Sequence, residues 1–259
     1  MALVGRVKKN AALRLHEEIA ADNFSAVDCD LTFYSIVRGI AMRHNVKVVM
    51  DYGAGRNGYA QDFNPEKDSF LIRDLRDLRF GDAEVTAVDV DPAVLNHPTS
   101  KYQHIIVPGQ RLPIADEKFD LIVSDYVFEH VENAQSVADE LQRLLRPGGW
   151  LVVRTPNRYG YLKLAASIVP NRLHDAVLKY VQPHRKAIDT FPTFYRLNCR
   201  RDFQRHFNQC SVHVMSDSWE PAYFFGKIWL YHIFAVIHKF MPKFFGTASI
   251  FLLQKGEDS

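Results

Sequence analysis

The stretch VKVVMDYGAGRNGYA, residues 46–60, decides the fold of this 259-residue chain. Its apolar run from Val46 to Val49 leads to Asp51 and then breaks into Gly53, Gly55 and Gly58, the spacing GxGxxG. A strand, a tight turn and a helix start fit this pattern, because turn glycines permit positive φ and let a ligand approach where a Cβ would collide. A helix opening there would offer its first N–H groups to something polar or anionic. Alone the motif is weak, since any α/β protein can place glycines in a turn.

The flanking sequence supplies the context. Upstream, AALRLHEEIA and LTFYSIVRGIAMRH have helical periodicity and should precede the first strand. Downstream, a helical region should run to about Arg79, interrupted near Asn64-Pro65 because proline removes a donor and restricts its predecessor. AEVTAVDVDP then reads as the second strand, YQHIIVP as the third and FDLIVSDYV as the fourth. NAQSVADELQRLL is an amphipathic helix stopped by RPGG, whose glycines suit a helix C-terminus, and WLVVRTPN is the fifth strand. RRDFQRHFNQC reads as a short helix, SVHVMSDSW as the sixth strand and ASIFLLQKG as the seventh.

Short apolar strands alternating with helices predict a Rossmann-like, doubly wound α/β fold. The expected sheet has seven mostly parallel strands with helices on both faces, the last strand antiparallel, plus inserted lid segments. Four regions follow: N-terminal helices over 1–45 capping the ligand site, a core over 46–157, a lid over 158–198, and the end of the sheet over 199–259. The last contains an apolar, basic insertion at 221–246, far longer than a hairpin needs.

Totals narrow the class. With 47% apolar residues and a net charge of +2, the chain is globular and offers no case for nucleic acid as a partner. Cys29, Cys199 and Cys210 are odd in number and lack CxxC spacing, which predicts reduced thiols and no zinc site. Charge appears early, at Arg6, Lys8 and Lys9, unlike a signal peptide. A cytoplasmic protein is expected, or one at the inner face of a membrane.

A dinucleotide is the first ligand to weigh. Nicotinamide-binding units place a ribose-binding acid about 20 residues past the glycines, whereas Asp89 lies about 30 past Gly58. A second family matches more of the chain. VVMDYGAGRNG, VTAVDVDP, LPIADEKFDLIVSDYVFEHV and ELQRLLRPGGWLVVRTPN, spread over 46–157, resemble successive motifs of class I S-adenosylmethionine-dependent methyltransferases, in the subgroup with LPxxDxxFD, EHV and RPGG.

That resemblance implies S-adenosylmethionine as cofactor. Asp51 would sit near the methionine amino group, and the backbone of Gly53, Ala54 and Gly55 would line the aminocarboxypropyl chain. Asp89 would accept from both ribose hydroxyls, and Val90 would pack on the adenine. Where the family often has an acid before the LP dipeptide this chain has Pro108 and Gly109, leaving the Gly109 backbone or Gln110 to meet the adenine amino group. Ser124 and Asp125 would face the sulfonium and the incoming acceptor.

Transfer to oxygen calls for a base, and His130 and His184 are the candidates. Both also read as structural histidines. A metal-binding subgroup carries further acids near EHV, but Tyr126 stands three positions before Glu129, so no metal is expected. Asp91 should cap a helix and Glu129 favour a helix N-terminus, with Glu129 and His130 opening a helix.

The acceptor must be read outside the matching core. Arg185, Lys186, Arg196, Arg200 and Arg201 lie beside Phe194 and Tyr195, a composition that suits phosphate or carboxylate and equally suits a solvated surface. Pro221 to Gly256 contains no acidic residue while Lys227, Lys239, Lys243 and Lys255 interrupt it. Such a segment suits an interfacial membrane helix or buried packing equally. Three function classes stay open: a methyltransferase acting on a small-molecule or lipid-linked acceptor, most readily at oxygen; an NAD-dependent oxidoreductase; and a non-catalytic cofactor-binding member of the fold.

Overall fold

The computed structural model describes residues 29–55, 70–160, 192–217, 228–242 and 245–257. Helix α1 (Cys29–Arg43) leads into β1 (Val48–Tyr52) and the glycine turn; α2 (Phe70–Arg76) precedes β2 (Glu84–Asp89) and β3 (Tyr102–Ile105). β4 (Phe119–Asp125), α3 (Ala134–Leu144) and β5 (Leu145–Pro156) follow, then α4 (Arg200–His206), β6 (Cys210–Asp217), α5 (Ile228–Phe240) and β7 (Ala248–Lys255).

These strands form one seven-stranded sheet in the order β3-β2-β1-β4-β5-β7-β6. β1 to β5 pair in parallel, while β7 runs antiparallel to both neighbours. The order reverses between β1 and β4, which opens a crevice at their carboxyl ends.

Side-chain alternation divides the core between two faces. Met50, Ile122, Leu151, Val153 and Phe251 meet α3 and α4 on one side. Val49, Leu121, Val123, Val152 and Ile250 meet Phe33, Val37 and Ala41 of α1 on the other. β4 is buried at six of its seven positions, as a central parallel strand covered on both faces must be. Phe203 anchors α4: its ring lies 4.0 Å from that of Phe251 and 5.6 Å from that of Phe128.

Two local expectations are corrected. The glycines of RPGG do not terminate a helix; α3 ends at Leu144 and β5 starts at Leu145. Leu145 already pairs with Phe119, and the register then jumps so that Trp150 pairs with Leu121. Arg146 to Gly149 form the extra length of that bulge. Gly149 is needed there because a Cβ would meet the Arg146 and Phe119 carbonyl oxygens at 2.9 and 3.0 Å. Likewise, Glu129 and His130 open no α-helix but end a 3₁₀ turn over Phe128–His130. The α-helix begins only at Ala134, where the Asn133 side chain accepts from the Ser136 N–H. The Asp91 cap is present, on a 3₁₀ helix over Pro92–Asn96, accepting from Ala93 N at 2.9 Å.

Parts of the expected organisation lie outside the described residues: the first N-terminal helix, Gly58 and the helix after it, most of the lid with His184, and the flanks of the 221–246 insertion.

Candidate functional site

A cavity of about 1810 Å³ lies at the carboxyl ends of β1, β2 and β4. Ligand pockets usually measure about 300–1,000 Å³, so this one has room for two molecules side by side. Its first half is walled by Gly53, Gly55, Asp89, Val90 and Gly109, its second by Asp125, Tyr126, His130 and the segment following Pro192.

The glycine turn is tied to β2. Gly53 and Ala54 both donate their N–H to the Val88 carbonyl, at 2.8 and 3.1 Å, and Gly55 N donates to Asp89 Oδ2 at 2.8 Å. Three consecutive amides are thus consumed inside the protein. Over 53–55 the turn therefore offers the cavity backbone surface and not a row of donors, and Ala54 does not line it. Gly53 has φ +80°, and a Cβ there would lie 2.1 Å from Val127 Cγ2, so no other residue fits.

Asp89 holds two amides at once: Gly55 N on Oδ2 and Asp91 N, 2.7 Å away, on Oδ1. Each carboxylate oxygen keeps a second lone pair, which leaves the side chain able to accept from two hydroxyls in the cavity it lines. Val90 beside it is 45% exposed, an apolar surface open to a ring. Gly109 lines the cavity at φ +80°; Gln110 is exposed and lies outside the lining.

Asp51 is not among the residues that line the cavity, and its side chain makes no hydrogen bond or ion pair among the described residues. Burial, then the Asp125 and Asp89 carboxylates, push its carboxyl up to about 7. A carboxylic acid in that state is relieved by a cation.

Ser124 does not face the cavity, contrary to expectation. It is fully buried, and its hydroxyl donates to the Tyr52 carbonyl at 3.0 Å. The cause is strand alternation: with Asp125 turned to the strand-end cluster, its predecessor must point to the other face.

Asp125 does line the cavity but is committed to its neighbours. Arg154, 1% exposed on β5, binds it through two contacts of 2.7 Å and also reaches Asp30 at the start of α1. Tyr34 donates to Asp125 Oδ2 at 3.0 Å, and Arg76 lies 3.6 Å from the same oxygen. Burial opposes the charge on Arg154, yet the Asp125 and Asp30 carboxylates hold its pKa well above normal. Tyr34 is held protonated, first by burial and then by Asp125. This cluster fixes α1 and α2 over the strand ends. The residues Asp30, Tyr34, Arg76 and Arg154 were not singled out in the sequence; an arginine inside WLVVRTPN was the one visible signal.

On the far wall the Glu129 backbone carbonyl accepts from Phe194 and Tyr195 N–H at 2.7 and 3.2 Å. Its carboxylate, 6% exposed, accepts from Thr155 Oγ1 at 3.1 Å, and Asn198 Nδ2 donates in turn to Thr155. Burial raises the Glu129 pKa. His130 Nδ1 lies 2.9 Å from the Pro192 carbonyl oxygen. A carbonyl only accepts, so Nδ1 carries a proton, and in the neutral ring Nε2 keeps the lone pair. Glu129 Oε1 is 3.9 Å from that Nε2. Among the described residues no group of three or more His, Cys, Asp or Glu is placed to hold a metal ion. Cys199 and Cys210 are free.

Known proteins resemble this chain in part. Residues 68–153 match a family described as a methyltransferase domain. A probable S-adenosylmethionine-dependent methyltransferase of Mycolicibacterium smegmatis is 29% identical over 126 residues, 48% of this chain and 43% of that protein. The malonyl-[acyl-carrier protein] O-methyltransferase 1 of Coxiella burnetii is 30% identical over 133 residues, 51% of this chain and 42% of that one. The chain thus spans less than half the length of these curated relatives. A solved structure from work on the conversion of a disulfide bond into a thioacetal group during echinomycin biosynthesis superposes with a TM-score of 0.50 at 14% identity, covering 87% of this chain and 82% of the other. The match to the methyltransferase domain takes in Asp89, Gly109, Asp125 and His130, with Asp51 and the glycine turn just ahead of it.

Proposed function

We propose that this chain is an S-adenosylmethionine-dependent methyltransferase that methylates an oxygen of a small or lipid-linked acceptor. The observation that carries the reading is the pair of acids around the glycine turn. Asp51 is a carboxyl pushed up to about 7 that an ammonium group would relieve, and Asp89 lines the cavity with lone pairs to spare. Those two environments suit the amino end and the ribose of the cofactor. The family match and the named relatives support the same chemistry.

When bound, the cofactor supplies an electrophilic methyl carbon on a sulfonium, and its thioether leaves without needing a proton. The protein's task is then alignment and, for a hydroxyl, removal of a proton. His130 suits that task because the Pro192 carbonyl fixes its tautomer with Nε2 basic. Glu129, close to Nε2, would steady the imidazolium that results.

A lipid-linked acceptor draws support from α5. Trp229, Ile233, Val236, Ile237 and Phe240 recur at helical spacing and are 48–79% exposed. The surrounding sequence from 221 to 256 lacks any acid, so an anionic membrane surface matches its charge. No helix among the described residues is long and apolar enough to cross a membrane.

Calorimetric titration with S-adenosylhomocysteine tests the central claim. Saturable binding by the wild type that is lost in Asp89→Ala is expected; a wild type that does not bind overturns it. Sedimentation with phosphatidylglycerol vesicles, compared with phosphatidylcholine alone, tests the membrane surface, and equal recovery from both would remove it.

A further inference from the structure

Beyond His130 the cavity adjoins a second depression of about 560 Å³, lined by Arg158, Tyr159, Cys199, Arg201, Asp202 and Arg205. Arg158, Asp202 and Arg205 border both spaces, so a molecule reaching past His130 would meet them. We propose that this depression is an anion subsite that takes a phosphoryl group carried by the methyl acceptor. The proposal rests on the methyltransferase reading for the word acceptor, and on the three arginines for the rest.

Charge is the first argument. Among the described residues three guanidiniums face a single carboxylate, Asp202. The Arg158–Asp202 separation is 3.9 Å, long for a charge-assisted hydrogen bond, and the same Asp202 oxygen is engaged by Asn198 N at 3.3 Å. The side chains of Arg201 and Arg205 have no hydrogen bond or ion pair among the described residues. Two positive charges therefore remain in excess, the complement of a phosphate ester dianion. A lone carboxylate ligand would neutralise only one of them.

Preorganisation is the second. Arg201 and Arg205 stand four residues apart on α4, on one face, where like charges repel and an anion between them removes the repulsion. α4 cannot turn that face away, because Phe203 is fully buried against Phe251 and Phe128. Arg158 is held equally firmly. The preceding Asn157 side chain donates to the Gly246 carbonyl at 3.0 Å and accepts from Tyr159 N at 3.0 Å. At Gly160 a Cβ would meet the Gly246 oxygen at 2.7 Å, so the turn carrying Arg158 is closed tightly on the rest of the fold. Three planar forks carried on a fixed backbone are suited to a tetrahedral oxyanion, and what binding must still order is the exposed side chains.

The full-length protein loaded with S-adenosylhomocysteine is titrated with inorganic phosphate by calorimetry, and the titration is repeated without the nucleoside. Saturable binding with a dissociation constant of roughly millimolar is expected, weakened by about tenfold or more in Arg201→Gln/Arg205→Gln. Affinity for S-adenosylhomocysteine should be the same in variant and wild type, which also shows that the variant is folded. Absence of saturable phosphate binding by the wild type, or equal binding by wild type and variant, overturns the subsite. If S-adenosylhomocysteine itself does not bind, the methyltransferase reading fails separately and the phosphate titration of the free protein still judges the subsite. Vesicles of phosphatidylcholine with phosphatidic acid identify the source: binding lost in the double variant points to a lipid headgroup, and phosphate binding without such vesicle binding points to a soluble phosphate ester.

Discussion

Asp125 and Arg154 are register partners across β4 and β5, and the guanidinium closes on the carboxylate through Nε–Oδ1 and Nη2–Oδ2, each 2.7 Å. The acid at the end of the central strand is therefore neutralised from the adjacent strand before any ligand arrives. Asp30 on α1 shares the same guanidinium, which ties the helix covering the other face to the strand ends. The Asp51 side chain, one strand away, has no such partner among the described residues, and the contrast separates the two acids: Asp125 holds the strand ends together, while Asp51 keeps its carboxyl uncommitted, as the proposed cofactor role requires.

Arg154→Met should destabilise the fold by about 2–4 kcal/mol, because it leaves the half-buried Asp125 and Asp30 with only the more distant Arg76 as counter-ion. Arg154→Lys should recover only part of that, since one ammonium cannot reproduce two parallel contacts to Asp125 and a third to Asp30. Urea unfolding measures both. Loss of less than about 1 kcal/mol in the methionine variant would show that the cluster is solvated and not structural.

Asp51→Asn should make the free protein more stable at pH 8 and no more stable at pH 4. The carboxyl is held near 7 in the fold against an ordinary value of 3.8. Below about pH 4 native and unfolded chains both carry the proton, and the side chain contributes nothing. As pH rises towards 7 the unfolded chain loses the proton first, so the native state binds more protons and stability falls; above 7 the loss is complete. Its size should be of order 4 kcal/mol. Binding of S-adenosylhomocysteine should strengthen in the wild type as pH rises through about 7, since only ionised Asp51 pairs with an ammonium, and the asparagine variant should bind weakly throughout. Calorimetry at four or five pH values, beside thermal melts, checks the pair of effects; a pH-independent wild type would deny Asp51 this role.

Much of the sheet could be read from the chain because its signals are local. The central parallel strands β1, β2 and β4 are short runs rich in Val, Ile and other apolar residues; β2 and β4 end in Asp89 and Asp125, and β1 carries Asp51 one residue before its end. Asp89, Val90 and Gly109 line the cavity, and their positions follow from strand ends and a turn. What escaped notice depends on distant partners. Arg154 reads as an interruption in an apolar strand until its register with Asp125 is known, and Asp30 lies 124 residues away from it. Ser124 was misjudged because it adjoins Asp125 in sequence while a strand sends adjacent side chains to opposite faces. RPGG was misjudged because glycines after a helix suit a C-cap and a β-bulge alike, and only the pairing of Leu145 with Phe119 decides between them.

Three glycine-to-alanine changes should separate in sign and size. Gly53→Ala combines φ +80° with a Cβ 2.1 Å from Val127 Cγ2, and should cost several kcal/mol and empty the cofactor half of the cavity of its function. Gly55→Ala has φ +56° but open space around the added carbon, so its cost should be limited to backbone strain of about 1 kcal/mol. Gly39→Ala, at an exposed position inside α1 with nothing within 4 Å, should stabilise by about 0.5–1 kcal/mol. Thermal melts of the three rank them directly. A Gly53→Ala protein as stable as the Gly55→Ala protein would mean that Val127 moves aside freely.

Thr155→Val and His130→Ala should divide structure from chemistry on the acceptor wall. Thr155 is fully buried between Glu129, to which it donates at 3.1 Å, and Asn198, from which it accepts. Valine keeps the shape and removes both bonds; Asn198 Nδ2 keeps the Pro156 carbonyl at 3.2 Å, but the buried Glu129 carboxylate loses its hydroxyl donor, so a loss of about 1–3 kcal/mol is expected. That loss should ease as the pH is lowered. Burial raises the Glu129 pKa in the fold, so the penalty for its unsatisfied charge is present at high pH and fades as pH falls through the folded value and the carboxyl takes up its proton. His130 is a half-buried side chain whose Nδ1 contact is with one loop carbonyl. His130→Ala should therefore change stability by less than about 1 kcal/mol and leave S-adenosylhomocysteine binding intact. It should lower methyl transfer to a hydroxyl acceptor by about 10²–10⁴-fold, the span of a lost general base. An enzyme equally fast with alanine at position 130 would have an acceptor that needs no deprotonation, and the hydroxyl would give way to a carboxylate or phosphate oxygen or a neutral amine.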